Sequence, residues 1–273
     1  KCQIVEPANP ETIDDDRRGE LEFRHVTFSY HGAESAVLND VSFTARPGGM
    51  TPTTGSTASG KSTLVNLIPR LYDVTSGQIL IGGHDIRRIS RAELVKALGF
   101  VPQRGVLFSG TVASNIKYAD EDISDKEMRR AAKIAQADFI EELDGKYKAR
   151  IAQGGNNVSG GQKQRLSIAR AIAKDPDILV FDDSFSALDY QTDAKLRRQL
   201  MQQESDKTIL IVTQRISTIK DASQIIVLDK GKVVGIGTHH RLLNSCSVYR
   251  EIASSQFSDS EMKRELEEAK YVG

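Results

Sequence analysis

The eight residues "GSTASGKS", Gly55 to Ser62, constrain the chain more than any other stretch. They fit G-x-x-x-x-G-K-S, where glycines let successive backbone N–H groups turn toward a phosphate and a helix opens at the lysine. Such a loop needs a buried strand before it and a helix after it. In that frame Lys61 reaches the β- and γ-phosphates and the Ser62 hydroxyl ligates Mg²⁺. The approach is unusual, because "MTPTT" (50–54) sets Pro52 among threonines. Proline cannot donate in a central ladder. The sequence alone offers no physical account of that run.

A second strand, "DILVFDD", ends in two adjacent acids. Asp182 at its tip suits Mg²⁺ held through water, and Asp183 stands where a general base or water-orienting acid is wanted. Around these pieces the pattern predicts alternating elements. "ELEFRHVTFSY" (20–30) and "AVLNDVSFTARPGG" (36–49) read as strands, and "SGQILIGGHDI" as a strand pair turned at Gly82–Gly83. Helices are expected over "GKSTLVNLIPRLYD", 91–98, 124–143, 159–176 and about 190–203, with Ser159 as N-cap and Pro176 as stop. "KTILIVTQ" and the hairpin "QIIVLDKGKVVGIG" follow. Continuous apolar strands alternating with helices imply an α/β fold with a parallel sheet, and the alternating early strands imply an antiparallel annex.

Composition narrows the partners. Lys plus Arg and Asp plus Glu both number 37, and aromatic residues make up 6% with no Trp. Neither an electrostatic attraction to nucleic acid nor a base-stacking surface is expected. No apolar run is long enough to cross a bilayer and no signal peptide is visible, so the chain reads as soluble and cytosolic. Cys2 and Cys246 show no metal-ligand spacing and fit a reducing compartment. Residues 1–19 read as a linker or arm, and the charged tail 256–273 as a loose helix.

"VSGGQKQR" (158–165) is the third informative element, a Ser and two glycines at a helix start without a lysine. It is a second anion-binding terminus. One nucleotide needs only one such cradle, so the second is expected to serve a nucleotide held by another molecule.

The P-loop, "VPQ", "VSGGQ", "ILVFDD", "SALD" and "IVTQR" stand in the order of the nucleotide-binding domains of ABC transporters, which the chain resembles over about residues 20–255. The resemblance implies a RecA-like P-loop core with a parallel sheet, an antiparallel β subdomain and an α-helical subdomain at about 104–165. ATP and Mg²⁺ are the implied cofactors. By position, Tyr30 resembles the aromatic that stacks on adenine, while Gly55, Ser56, Thr57, Ala58, Ser59, Gly60, Lys61, Ser62 and Thr63 form the phosphate loop. Ser62, Gln103 and Asp182 are the implied metal group, and Gln103, Asp183 and Gln214 the implied catalytic group. Ser159, Gly160, Gly161 and Gln162 form the signature, which in this family faces the ATP of a second such domain in a head-to-tail dimer. Ser186–Asp189 resemble the loop that crosses that dimer. The region Gln103–Ile116, with its exporter-like "FSGTVASNI", is the implied docking site for transmembrane domains, and residues 1–19 the link to them. The implied location is the cytoplasmic face of a membrane.

Two residues depart from the family. It places Glu after the Mg²⁺ aspartate, where this chain has Asp183, and His after the next strand, where this chain has Gln214. Shortening the acid by one methylene withdraws it by about 1.5 Å, and a displacement near 1 Å can lower a rate about a hundredfold. Gln214 donates a hydrogen bond but cannot become cationic. Together these changes point to the degenerate half of a heterodimeric exporter, whose partner chain carries Glu and His. A structural or regulatory nucleotide-binding subunit, and a non-transport ABC ATPase, stay open as alternatives. The repair type of ATPase fits less well, because Lys61 and Ser159 stand too close to enclose a long coiled coil.

Overall fold

Alternation in "LEFRHVTF" builds β1 (Leu21–Phe28), whose residues Leu21, Phe23, Val26 and Phe28 are buried. In the computed structural model, which describes residues 4–271, the chain divides into two compact units. One runs to Val95 and resumes at Thr208; the other is Lys96–Lys207. The outermost residues of the arm and tail, 1–3 with Cys2 and 272–273, lie outside the described residues.

In the first unit, β1 pairs antiparallel with β2 (Leu38–Ala45). The Pro47–Gly48 turn comes earlier than the predicted strand end, so Gly49 already belongs to β3 (Gly49–Gly55). The phosphate loop then leads into α1 (Lys61–Leu67). This helix is half its predicted length, because Pro69 has no N–H to continue it. β4 (Ser76–Ile81) and β5 (His84–Asp85) form the predicted hairpin, with φ of 57° at Gly82 and 86° at Gly83. The order β2-β1-β4-β5 makes an antiparallel sheet. α2 (Arg91–Ala97) follows.

The arm is laid against this unit. Ile13 is buried, Glu11 bridges to Ile89, and the Glu6 carboxylate accepts the Arg91 N–H at 3.2 Å.

The second unit contains β6 (Leu98–Val101), the short antiparallel pair β7 (Gly110–Thr111) and β8 (Arg150–Ile151), and helices α3 (Val112–Ile116), α4 (Asp125–Ile134) and α5 (Gly160–Ala173). β9 (Ile178–Asp182) pairs in parallel with β6, and α6 (Tyr190–Gln203) follows. The helix expected over 124–143 stops at Ile134. Gln136 takes φ 56°, its side chain returns to Lys133 O at 3.1 Å, and Arg165 holds its carbonyl at 3.2 Å. Residues Asp138–Glu142 resume only as a 3-10 turn.

Back in the first unit come β10 (Thr208–Val212), β11 (Ile225–Asp229) and β12 (Lys232–Gly237), with strand order β12-β11-β3-β10. Both β10 and β11 run parallel to β3. This order explains Pro52. Thr213 N–H donates to Thr53 O at 3.1 Å, so Thr53 turns its amide edge toward β10 and Pro52 turns toward β11. The β11 ladder begins with Ile226 opposite Thr53. The Pro52 nitrogen therefore faces the position just ahead of that ladder, where no bond is lost.

Helices α7 (His239–Ser245), α8 (Ser247–Ser254) and α9 (Asp259–Ala269) close the chain. The tail is not loose. Ser258 and Glu261 form a capping box, and Met262, Glu265 and Ala269 are buried against a core that includes Leu242, Leu243 and Tyr249.

Candidate nucleotide site

In the first unit the loop between β3 and α1 is shaped for close approach. Gly55 has φ 157°, and a Cβ there would lie 2.0 Å from Leu228 O. Gly60 has φ 99°, and its Cβ would press on Leu38 at 2.8 Å. Side chains at these positions would dismantle the cradle. Lys61 is only 9% exposed, and its Nζ donates to Gly55 O, Ser56 O and Ser59 Oγ at 3.0, 2.6 and 3.1 Å. The cation is thus held over the loop by the same backbone that presents the N–H groups. Thr57 and Ala58 are exposed at the crown, with Ala58 at φ 59°, and Ser62 is exposed in the first turn of α1.

Tyr30 is brought to this loop. Its hydroxyl lies 3.1 Å from Thr63 Oγ1, and its 37%-exposed ring meets Phe28 and Tyr72 edge to face at 4.8 and 5.3 Å. A fixed, half-open aromatic beside a phosphate loop can stack a planar base. Gln214 is exposed just past β10. Extending the register Val212↔Thr53 by two residues sets it level with Gly55, and Gln256 Nε2 fixes its carbonyl at 2.5 Å.

The second unit gathers the acids. Asp182 ends β9 and is 5% exposed. Asp183 turns to φ 45°, and its Oδ2 accepts from Gln103 Nε2 at 3.3 Å. Ser159 caps α5: its Oγ accepts Gln162 N–H at 3.2 Å while Gln162 Oε1 accepts Ser159 N–H at 3.0 Å. Gly160 is exposed and Gly161 half-buried. Asp189 caps α6, and bonds from Thr192 hold its carboxyl below the usual range.

Three supporting residues escape a reading by motif. Gln164, buried on α5, accepts Gly105 N–H at 2.8 Å and donates to Pro102 O at 3.2 Å, which sets the loop carrying Gln103. Ser184 Oγ donates to Val101 O at 2.8 Å. Asp229 accepts Ser56 Oγ at 2.6 Å. The only sequence signal for Gln164 is a polar residue on the apolar face of its helix.

Residues 38–186, more than half of the chain, match the ABC transporter family. The chain belongs to that family. An uncharacterized ABC transporter ATP-binding protein of Mycobacterium tuberculosis is 52% identical over 92% of the chain and 43% of its own length. The ATP-dependent lipid A-core flippase of Syntrophus aciditrophicus is 39% identical over 94% and 44% respectively. A bacterial Atm1-family ABC exporter solved with ATP bound superposes with a TM-score of 0.88 at 35% identity, over 94% of this chain and 45% of its own. The chain thus spans less than half the length of these relatives. The expected mixed α/β fold is that of an ABC exporter's ATP-binding domain.

An ABC ATP-binding domain takes ATP with Mg²⁺, and the residues fit both. In the first unit the glycine cradle and Lys61 suit a polyphosphate and the exposed Ser62 hydroxyl is a hard oxygen donor, while in the second unit Asp182 is a carboxylate of the type a hard cation takes. Mg²⁺ supplies charge neutralisation of the phosphates.

Proposed function

We propose that this ABC domain powers export as one half of a heterodimer at the cytoplasmic face of a membrane. Its own hydrolytic site is degenerate, and its signature completes the partner's site. Asp183 carries the reading. The acid is one methylene shorter than the family's Glu, and Gln103 engages its Oδ2. Gln214 on the exposed end of β10 supplies a hydrogen bond without a cationic form. Asp183 and Gln214 therefore bind and orient, while proton handling falls to the partner's Glu and His.

The signature supports the same reading. A Cβ at Gly160 would meet nothing within 4 Å, so packing inside this chain does not require glycine there. Approach by an outside phosphate does. Exposed Val106 and Phe108 in the Gln103–Ile116 stretch offer transmembrane domains an apolar footing. Among the described residues no helix is long and apolar enough to cross a membrane itself.

The test is a ranking in a reconstituted pair with a domain bearing Glu and His. Ser159→Arg should remove most ATPase activity, although this chain's P-loop is untouched. Asp183→Asn should lower it less than threefold. The reverse order would place the working site in this chain.

A further inference from the structure

We infer that His239, His240 and Glu265 form a zinc site that fastens α9 to the start of α7. Adjacent residues on a helix point about 100° apart, so two neighbouring imidazoles converge only on something set between them. Glu265 of α9 is that group. Its Oε2 lies 3.2 Å from His239 Nε2 and 3.8 Å from His240 Nε2. All three ligand atoms lie within 4.8 Å of one another. Zinc–ligand bonds of about 2.0–2.1 Å set tetrahedral edges near 3.3 Å, and the two distances to Glu265 bracket that value from either side.

A second carboxylate on the same face of α9 borders the three ligands beside His240. Glu268 stands three residues beyond Glu265, and its Oε2 is 3.8 Å from His240 Nε2. That spacing is too long for a hydrogen bond, so His240 faces two carboxylates without closing on either.

The surroundings orient the ligands. Buried Tyr249 places its hydroxyl 2.7 Å from His239 Nδ1, which fixes the ring with Nε2 facing Glu265. Lys220 Nζ binds the other oxygen of Glu265, Oε1, at 3.3 Å and leaves Oε2 to the cation. Two imidazoles and one carboxylate make a mixed N/O donor set, and imidazole favours zinc over Mg²⁺. The Mg²⁺ that accompanies ATP will therefore not occupy this site.

The test uses the 273-residue chain stripped with EDTA and titrated with ZnCl₂, or MgCl₂ as control. Calorimetry should show one zinc bound at micromolar or tighter affinity. At zinc 100-fold above Kd the Tm should rise by about 5 °C, with no response to Mg²⁺. His240→Ala should weaken zinc binding at least tenfold yet leave the Tm in EDTA within about 1 °C, because His239 keeps Tyr249 and Glu265. Glu268→Gln should weaken binding by a smaller factor. A parent chain that does not respond to zinc, or one whose response survives His240→Ala unchanged, overturns the site.

Discussion

Thr53 and Thr54 precede the phosphate loop, both fully buried, and neither hydroxyl has a hydrogen-bond partner among the described residues. Replacing each by valine keeps the shape and the β-branch while removing the stranded hydroxyl. An unpaired buried hydroxyl costs about 1–3 kcal/mol by mutational measure. Successive strand residues point to opposite faces, so the two gains should nearly add. Thr53→Val with Thr54→Val should therefore stabilise the chain by about 2–6 kcal/mol, which at about 2 °C per kcal/mol for a chain of this size is roughly 4–12 °C in Tm. Urea unfolding with an unchanged m-value would show that the native state gained the energy. MgATP affinity should not weaken, because neither side chain belongs to the cradle. A loss of about 1 kcal/mol or more in the double variant would refute the reasoning and show that these hydroxyls are satisfied.

Two further expectations concern catalysis and the arm. Asp183→Glu with Gln214→His should raise turnover at this chain's own site by tenfold or more, and each single change by less, since acid and imidazole act on one γ-phosphate as a unit; single-turnover kinetics would show it. His84 binds Glu11 at 2.9 Å and Asp14 at 3.2 Å, and the hydrogen bond to Glu11 above all raises its pKa. Its support for the arm is full below the unfolded value of about 6.5 and fades as pH rises through the higher folded one. Limited proteolysis of residues 4–19 should quicken from about pH 6 to about pH 8, and His84→Ala should abolish that dependence.

The sequence shows plainly what backbone chemistry dictates locally. The glycines, lysine and serine of the P-loop, the acids ending β9, and the cap at Ser159 stand at fixed offsets, and each is found on the element expected of it. Features decided by distant partners were not legible. The stop at Gln136 depends on Arg165, and the firm seat of α9 depends on faces of α7 and α8. Pro52 had no account in the sequence because the harmlessness of its nitrogen is a matter of register with β11. Tyr30 was readable only by resemblance; its bond to Thr63 gives it a place beside the loop.

Gln164 has a mechanical meaning. It sits five residues along α5 from Ser159, about 7.5 Å of helix rise, and its amide grips both sides of the loop bearing Gln103. Those two bonds are worth about 1 kcal/mol each. The helix is a stiff rod and Gln164 is the pin that joins it to the loop. The helix that starts at the Ser159 cap and the loop of Gln103, whose amide donates to Asp183, are thus joined through one buried side chain.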